Sequence, residues 1–472
     1  MAPHIFPYNV LTRVGVVLPV LAVVLLGIGV LSDDVQSQIT RFGARDPGVR
    51  PGPVGAGGAL PGLSPSEREL FVHTRETFQE VQSVQGTIPD TEAGLGPRFN
   101  LDSCAGCHIH PDIGGTSPFV NPQVEVAKKE GAQNEIPFFV KKDGPVREAR
   151  FKHNPDGTPD GGVHALFTIT GRNDAAGCGI TQPDFRTAAA HQNLVFRIPT
   201  PLFGAGLIEA IDDDTILANM MTNNGRKQSM GIRGRANRTT GHPNTSGNDG
   251  TVTRFGWKAQ NKSLELFSGE AYNVEQGVTN DVFPQERDET PGCYFNAMPE
   301  SPTHLDATIP IDVPSDVVKF AVFMRFLAPP MPAPETPTTA RGKQLFGDIG
   351  CALCHTPTLH TGKKMSVEAL RDKDANLYSD LVIHNMGVGL ADDISQGDAR
   401  GDEFRTAPLW GVGKRIFFLH DGRTKDLLEA IQAHTSFGSG QYLPSEANQV
   451  IAQFNRLSEV DKQNVLNFLR SL

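Results

Sequence analysis

Two short strings constrain this chain more than anything else in it: Cys104-Ala105-Gly106-Cys107-His108 and Cys351-Ala352-Leu353-Cys354-His355. Both have the C-x-x-C-H spacing, in which two thiols bond the vinyl groups of one haem and the adjacent imidazole sits under the iron. Two C-x-x-C pairs can also surround a zinc ion. That use leaves the histidine after each pair unexplained. The spacing therefore predicts two covalently bound c-type haems, with Cys104, Cys107, Cys351 and Cys354 as attachment points and His108 and His355 as proximal ligands.

Attachment of this kind takes place outside the cytoplasm, and the N-terminus agrees. Arg13 precedes an uncharged apolar run, Val14 to Leu31, of 18 residues. The pattern is that of a signal peptide or a signal anchor. The sequence leaves cleavage open, so the expected location is periplasmic, or membrane-anchored facing the periplasm. Two further cysteines, Cys178 and Cys293, are most simply a disulfide in an oxidising compartment; the alternative is two buried free thiols. A net charge of -10 gives no reason to expect a nucleic-acid partner.

The chain of 472 residues is long enough for two or three domains. Residues 1–31 are the export segment. Residues 32–63, rich in Pro, Gly and Ala between Arg50 and Gly62, read as a disordered linker. Ser64-Pro65-Ser66-Glu67 is a helix start, followed by helical spacing of Leu70, Phe71, Thr74, Phe78 and Val81. A first domain over 64–328 ends in an apolar helix, Val317 to Leu327. A Pro-rich linker follows over 329–339. A second domain over 340–472 begins with a helix that leads to Cys351 and closes with one starting near Ser458.

The halves repeat each other. Phe196-Arg197 precedes Pro201-Leu202-Phe203-Gly204-Ala205-Gly206, and Phe404-Arg405 precedes Pro408-Leu409-Trp410-Gly411-Val412-Gly413. The expected fold is mainly α, with two cytochrome c-like domains. The first is enlarged by a loop-rich insertion over about 120–250.

With Arg254-Phe255-Gly256-Trp257-Lys258-Ala259, Tyr378-Ser379-Asp380-Leu381, His384-Asn385-Met386-Gly387 and Phe418-Leu419-His420-Asp421-Gly422-Arg423, the chain resembles the di-haem oxidoreductases related to bacterial di-haem cytochrome c peroxidases. The resemblance spans roughly residues 64–472. It implies one electron-transfer haem with both axial positions filled and one haem where peroxide reacts. In those peroxidases the distal Met of the second haem lies fourteen residues after the histidine of F-H-D-G. Counting from His420 gives His434, and a bis-histidine haem with His355 and His434. Imidazole is the stronger donor, so the potential is lowered relative to Met ligation. Met386 is the alternative ligand.

Trp257 aligns with His420 in the repeat, and the residue fourteen further on is Ala271, which cannot bind iron. Glu275-Gln276-Gly277 resembles the E-M-G string whose Glu is the distal acid–base residue, with Gln in place of Met. Lys258 stands where the relatives have Asp, and a salt bridge is its expected role. The resemblance thus implies Glu275 as a catalytic acid–base group and Trp257 as a relay between haems. Its partners would be hydrogen peroxide or another small substrate and a small cytochrome or cupredoxin. Two other functions remain open at this point: a non-catalytic electron-transfer cytochrome, and an oxygenase acting on an organic substrate over the first haem.

Overall fold

Ser64 caps the first described helix, Pro65–Gln79, through a reciprocal exchange with Glu67: the serine hydroxyl accepts from the Glu67 N–H, and the glutamate accepts from the Ser64 N–H. The computed structural model describes residues 43–126, 128–238, 252–288 and 290–472. The expected export segment, Arg13 to Leu31, lies outside them. Among the described residues no helix is long and apolar enough to cross a membrane.

Each half is framed by its first and last helix. In the first half Pro65–Gln79 packs on Asp316–Phe326, with Phe71 stacked on Phe323 at 5.7 Å and Phe78 against Phe323 at 4.7 Å. In the second, Pro337–Asp348 crosses Glu459–Ser471, with Phe346 5.5 Å from Phe468. The crossing is close because Gly342 lies against the Asn464 carbonyl, where a Cβ would stand 1.9 Å from the oxygen.

The repeated P-L-aromatic-G-x-G phrase forms the same turn twice. Its first glycine has positive φ in both copies, +68° at Gly204 and +76° at Gly411. Its second, Gly206 or Gly413, lies against the last turn of the closing helix, at the Arg325 or Arg470 carbonyl. The halves also exchange equivalent backbone hydrogen bonds: Ile198 N–H donates to the His420 carbonyl at 2.8 Å, and Arg405 N–H to the Trp257 carbonyl at 2.9 Å. Ile198 and Arg405 each stand three residues before the proline of their turn, and Trp257 and His420 are the pair matched in the repeat. The largest apolar core continues through both halves, drawing Leu359, Leu370, Leu377 and Leu381 in with Phe78, Phe320 and Phe323.

Two expectations from composition need correction. From Gly43 onward the stretch read as a disordered linker is a strap packed on both halves. Arg50 N–H donates to the Gly413 carbonyl, Leu60 N–H to the Phe326 carbonyl and Met331 N–H to the Gly55 carbonyl. Asp46 pairs with the buried Arg470. The strap is extended and its partners are remote in sequence, so it has no periodicity of its own.

The segment over 120–250 is likewise more than loops. Glu148–Phe151 is the centre of an antiparallel three-stranded sheet, between Val163–His164 and Leu194–Arg197. Phe99, Phe139, Leu166, Phe167 and Ile169 form a second core beside it.

Cys178 and Cys293 form a disulfide that ties this region to the loop after Leu264–Gln276. It closes a loop across 115 residues. Cys178→Ser is expected to lower unfolding stability by about 3–5 kcal/mol, measured as a shift in denaturant midpoint. An equal midpoint for reduced and oxidised wild-type protein would contradict this.

Candidate functional site: two unequal cavities

The first C-x-x-C-H string lies on a one-turn helix, Cys104–Cys107, capped by the Ser103 hydroxyl. Cys104, Cys107 and His108 all line one cavity. The His108 Nδ1 donates to the Gly115 carbonyl at 3.0 Å, which leaves Nε2 unprotonated and able to ligate a metal. Burial pushes its imidazole down to about 4, so it is neutral at pH 7. Phe78 packs edge-on to its ring.

A group of charged and polar side chains also lines the cavity. Glu148, Arg150, Glu270 and Glu275 line it with Arg197 and Gln123. Glu275 sits near the end of Leu264–Gln276, where the helix turns a wall residue toward the cavity every three or four positions: Ala271, Val274 and Glu275 all line it. The Glu275 carboxyl is pushed up to about 8 by burial, then by Glu148 and Glu270, against the opposing charge of Arg150. The next residue, Gln276, donates to the Cys104 sulfur at 3.0 Å. Ala271, at the place where the repeat puts His434 in the other half, offers no donor.

The second cavity is lined by Cys351, Cys354, His355, Met386, His420 and His434 among apolar neighbours such as Phe346, Phe418 and Leu469. The His355 Nδ1 donates to the Tyr378 carbonyl at 3.0 Å, so its Nε2 is also available. Asp426 caps the short helix Leu427–Gln432 by accepting from two backbone N–H groups. His434 lies two residues past that helix. Its Nδ1 donates back to the Ala430 carbonyl at 2.8 Å, which fixes the ring with Nε2 unoccupied. Burial pushes the His355 imidazole down to about 4, and the nearby His434 disfavours its charging further. Thus two neutral imidazoles with available Nε2 atoms line one cavity, and Met386 lines it with them.

Trp257 is the one described residue in the walls of both cavities. Its indole N–H donates to the Ile198 carbonyl at 2.9 Å, and its ring lies 6.4 Å from that of His420, which in turn stacks on Phe404 at 4.4 Å. Lys258 is fully buried and pairs with Asp392 at 2.9 Å, as Arg197 does at 2.6 Å. The expected salt bridge is therefore present. Sequence reasoning missed Glu148, Arg150, Asp392 and Arg415. Only the alternation in Glu148-Ala149-Arg150-Phe151 hinted that two of these share a face.

The donor sets fit haem: in each cavity a pair of thiols and a neutral imidazole whose Nε2 is available. The sequence profile of the family described as "Di-haem oxidoreductase, putative peroxidase" matches residues 155–472, about two thirds of the chain. The chain belongs to this family. As a di-haem oxidoreductase it is an enzyme of the peroxidase-type oxidoreductases and takes two haems.

Solved structures similar to this di-haem oxidoreductase are remote. A MauG-like protein associated with microbial copper homeostasis is 19% identical over 35% of this chain and 55% of its own, with a TM-score of 0.25. Hydrazine synthase of Kuenenia stuttgartiensis is 14% identical over 90% and 97%, with a TM-score of 0.34. The di-haem peroxidase BthA of Burkholderia thailandensis E264 is 14% identical over 46% and 65%, with a TM-score of 0.29. The matched region thus spans about half of the MauG-like chain and just under two thirds of BthA. No curated protein sequence matches the chain.

Proposed function

We propose that this di-haem oxidoreductase is an exported c-type cytochrome that reduces hydrogen peroxide at its first haem, with electrons delivered through its second. The observation that carries this reading is the inequality of the cavities: His434 stands with His355 in one, while Ala271 and Glu275 stand with His108 in the other. Cys104 and Cys107 would attach the first haem and Cys351 and Cys354 the second, with His108 and His355 as proximal ligands. When bound, the haem irons supply one-electron redox chemistry and, at an open axial position, a place for peroxide.

The chain's own residues do the rest. His434 would hold the second haem together with His355 and so exclude substrate from it. Glu275 accepts a proton from peroxide at the first haem and returns it to the departing oxygen, the ordinary general acid–base role. Its high pKa keeps the proton within reach of neutral pH. Trp257, in both walls, is placed to relay electrons between the haems. The full reaction takes one peroxide, two electrons and two protons to two waters. The electron donor would be a small cytochrome or cupredoxin outside the cytoplasm. A peroxidase needs no organic-substrate site, and the 120–250 segment contributes Glu148, Arg150 and Arg197 to a polar wall better suited to peroxide and proton transfer.

Matured protein should give two covalent haems per chain in a pyridine haemochrome assay after denaturation, and should consume peroxide with a reduced donor. Cys104→Ala and Cys351→Ala should each lower the haem count. One haem per chain in fully matured protein, or no peroxide consumption after partial reduction, would overturn the reading.

A further inference from the structure

The wall of the second cavity holds two buried cations that no carboxylate pairs among the described residues. Arg405 is 8% exposed and Arg415 7%. The Arg405 Nε donates to the Gly256 carbonyl at 2.9 Å, but its Nη1 has no partner, and neither do Nε and Nη2 of Arg415. Burial pushes both guanidinium groups down to about 10, and Arg415 disfavours the charge on Arg405 further. Other deeply buried arginines have carboxylates: Arg172 has Asp174, Arg197 has Asp392, Arg254 has Asp213 and Arg470 has Asp46. Uncompensated buried charge costs several kcal/mol per ion, so two adjacent like charges require anions.

The cavity's own carboxylate does not meet that need. Glu446 is already engaged: it accepts from the His384 Nδ1 at 2.8 Å and from the backbone N–H groups of Arg233 and Asn385. The first cavity differs. Its Arg150 pairs with Glu148 at 2.7 Å and its Arg197 with Asp392. The second cavity is thus where two adjacent buried arginines stand without a carboxylate among the described residues, and a haem carries two propionates.

We infer that Arg405 and Arg415 bind the propionate groups of the second haem and raise its reduction potential, offsetting the lowering that a second imidazole brings. This rests on the proposed seating of that haem between His355 and His434. Reduction adds one negative charge to the haem, and fixed cations favour the more negative state, more so in a site shielded from water. The first haem receives less of such a lift, because Arg150 and Arg197 beside it already have Glu148 and Asp392. An electron that enters the protein therefore rests on the second haem. Arg405 also fixes where that haem ends, since its Nε and its backbone N–H hold the carbonyls of Gly256 and Trp257 at the junction of the two cavities. It is a positioning residue as well as a charge.

The test is an optical redox titration of the purified holoprotein, following the low-spin haem. Arg415→Gln and Arg405→Gln keep donor groups but remove the charge. Each should lower the reduced-to-oxidised ratio at a given potential about tenfold, about 59 mV for a one-electron couple. The high-spin haem should titrate as before. Arg415→Lys and Arg405→Lys, which keep the charge, should recover most of the shift, as a merely packing role would not. A Gln variant with an intact low-spin spectrum and an unmoved midpoint overturns the inference. The proposed seating fails separately, if wild-type protein lacks a bis-imidazole low-spin spectrum.

Discussion

Glu275→Gln is expected to lower peroxide turnover by about 10²–10⁴-fold, the usual contribution of a positioned acid–base group, while both haems stay attached. The amide is nearly the same size, so the cavity keeps its shape. What it loses is a proton carrier. The pH profile makes the assignment specific. Burial raises the Glu275 carboxyl to about 8, so the group is mostly protonated at neutral pH and its basic form grows as pH rises. Wild-type kcat/KM should climb through about pH 8, and the Gln variant should lack that limb. The same shift has a stability sign. Because the folded value lies above the ordinary carboxyl value, its contribution is present in acid and is lost as pH rises through about 8. Glu148 and Glu270 share the cavity and are coupled to it, so the limb belongs to the cluster while the Gln variant isolates Glu275. Unchanged turnover with intact haem content would return Glu275 to a structural role.

The second large effect is expected at His434. Removing its imidazole with His434→Ala should convert the second haem from low-spin to high-spin or water-bound, visible in the optical spectrum and by EPR. Electron delivery to the first haem should slow with it, so peroxide turnover should fall even though Glu275 is untouched. The His434 ring is fixed by its bond to the Ala430 carbonyl, and His420 lines the same cavity. Met386 also lines the wall. An unchanged low-spin spectrum in the Ala variant would assign the ligand to one of those two.

What the sequence made legible follows from where the information is local. The C-x-x-C-H strings, the caps at Ser64 and Ser458, and the P-L-aromatic-G-x-G turns each depend on residues within a few positions, and each stands where the sequence put it. The repeat behind the count from Trp257 and His420 is present in the backbone: Phe255 bridges Asn261 just as Phe418 bridges Thr424. The strap from Gly43 and the unpaired arginines were invisible for the opposite reason. The strap's partners, Gly413, Phe326 and Arg470, lie hundreds of residues away, and nothing in Phe404-Arg405 or Lys414-Arg415 announces that no carboxylate will reach them. The sheet around Glu148–Phe151 was hidden by Gly-rich connections that masked a four-residue alternation.

The central claim is that two chemically unequal haems divide the work, and low-temperature EPR of the oxidised and the half-reduced protein tests it most directly. The account predicts one high-spin ferric signal, from the haem beside Glu275, and one low-spin bis-imidazole signal, from the haem between His355 and His434. The low-spin signal should disappear first on reduction, and the high-spin haem should then react with peroxide. Two low-spin signals of equal weight, with the first haem still low-spin and unreactive toward peroxide and carbon monoxide in the half-reduced protein, would contradict it and make this chain an electron carrier.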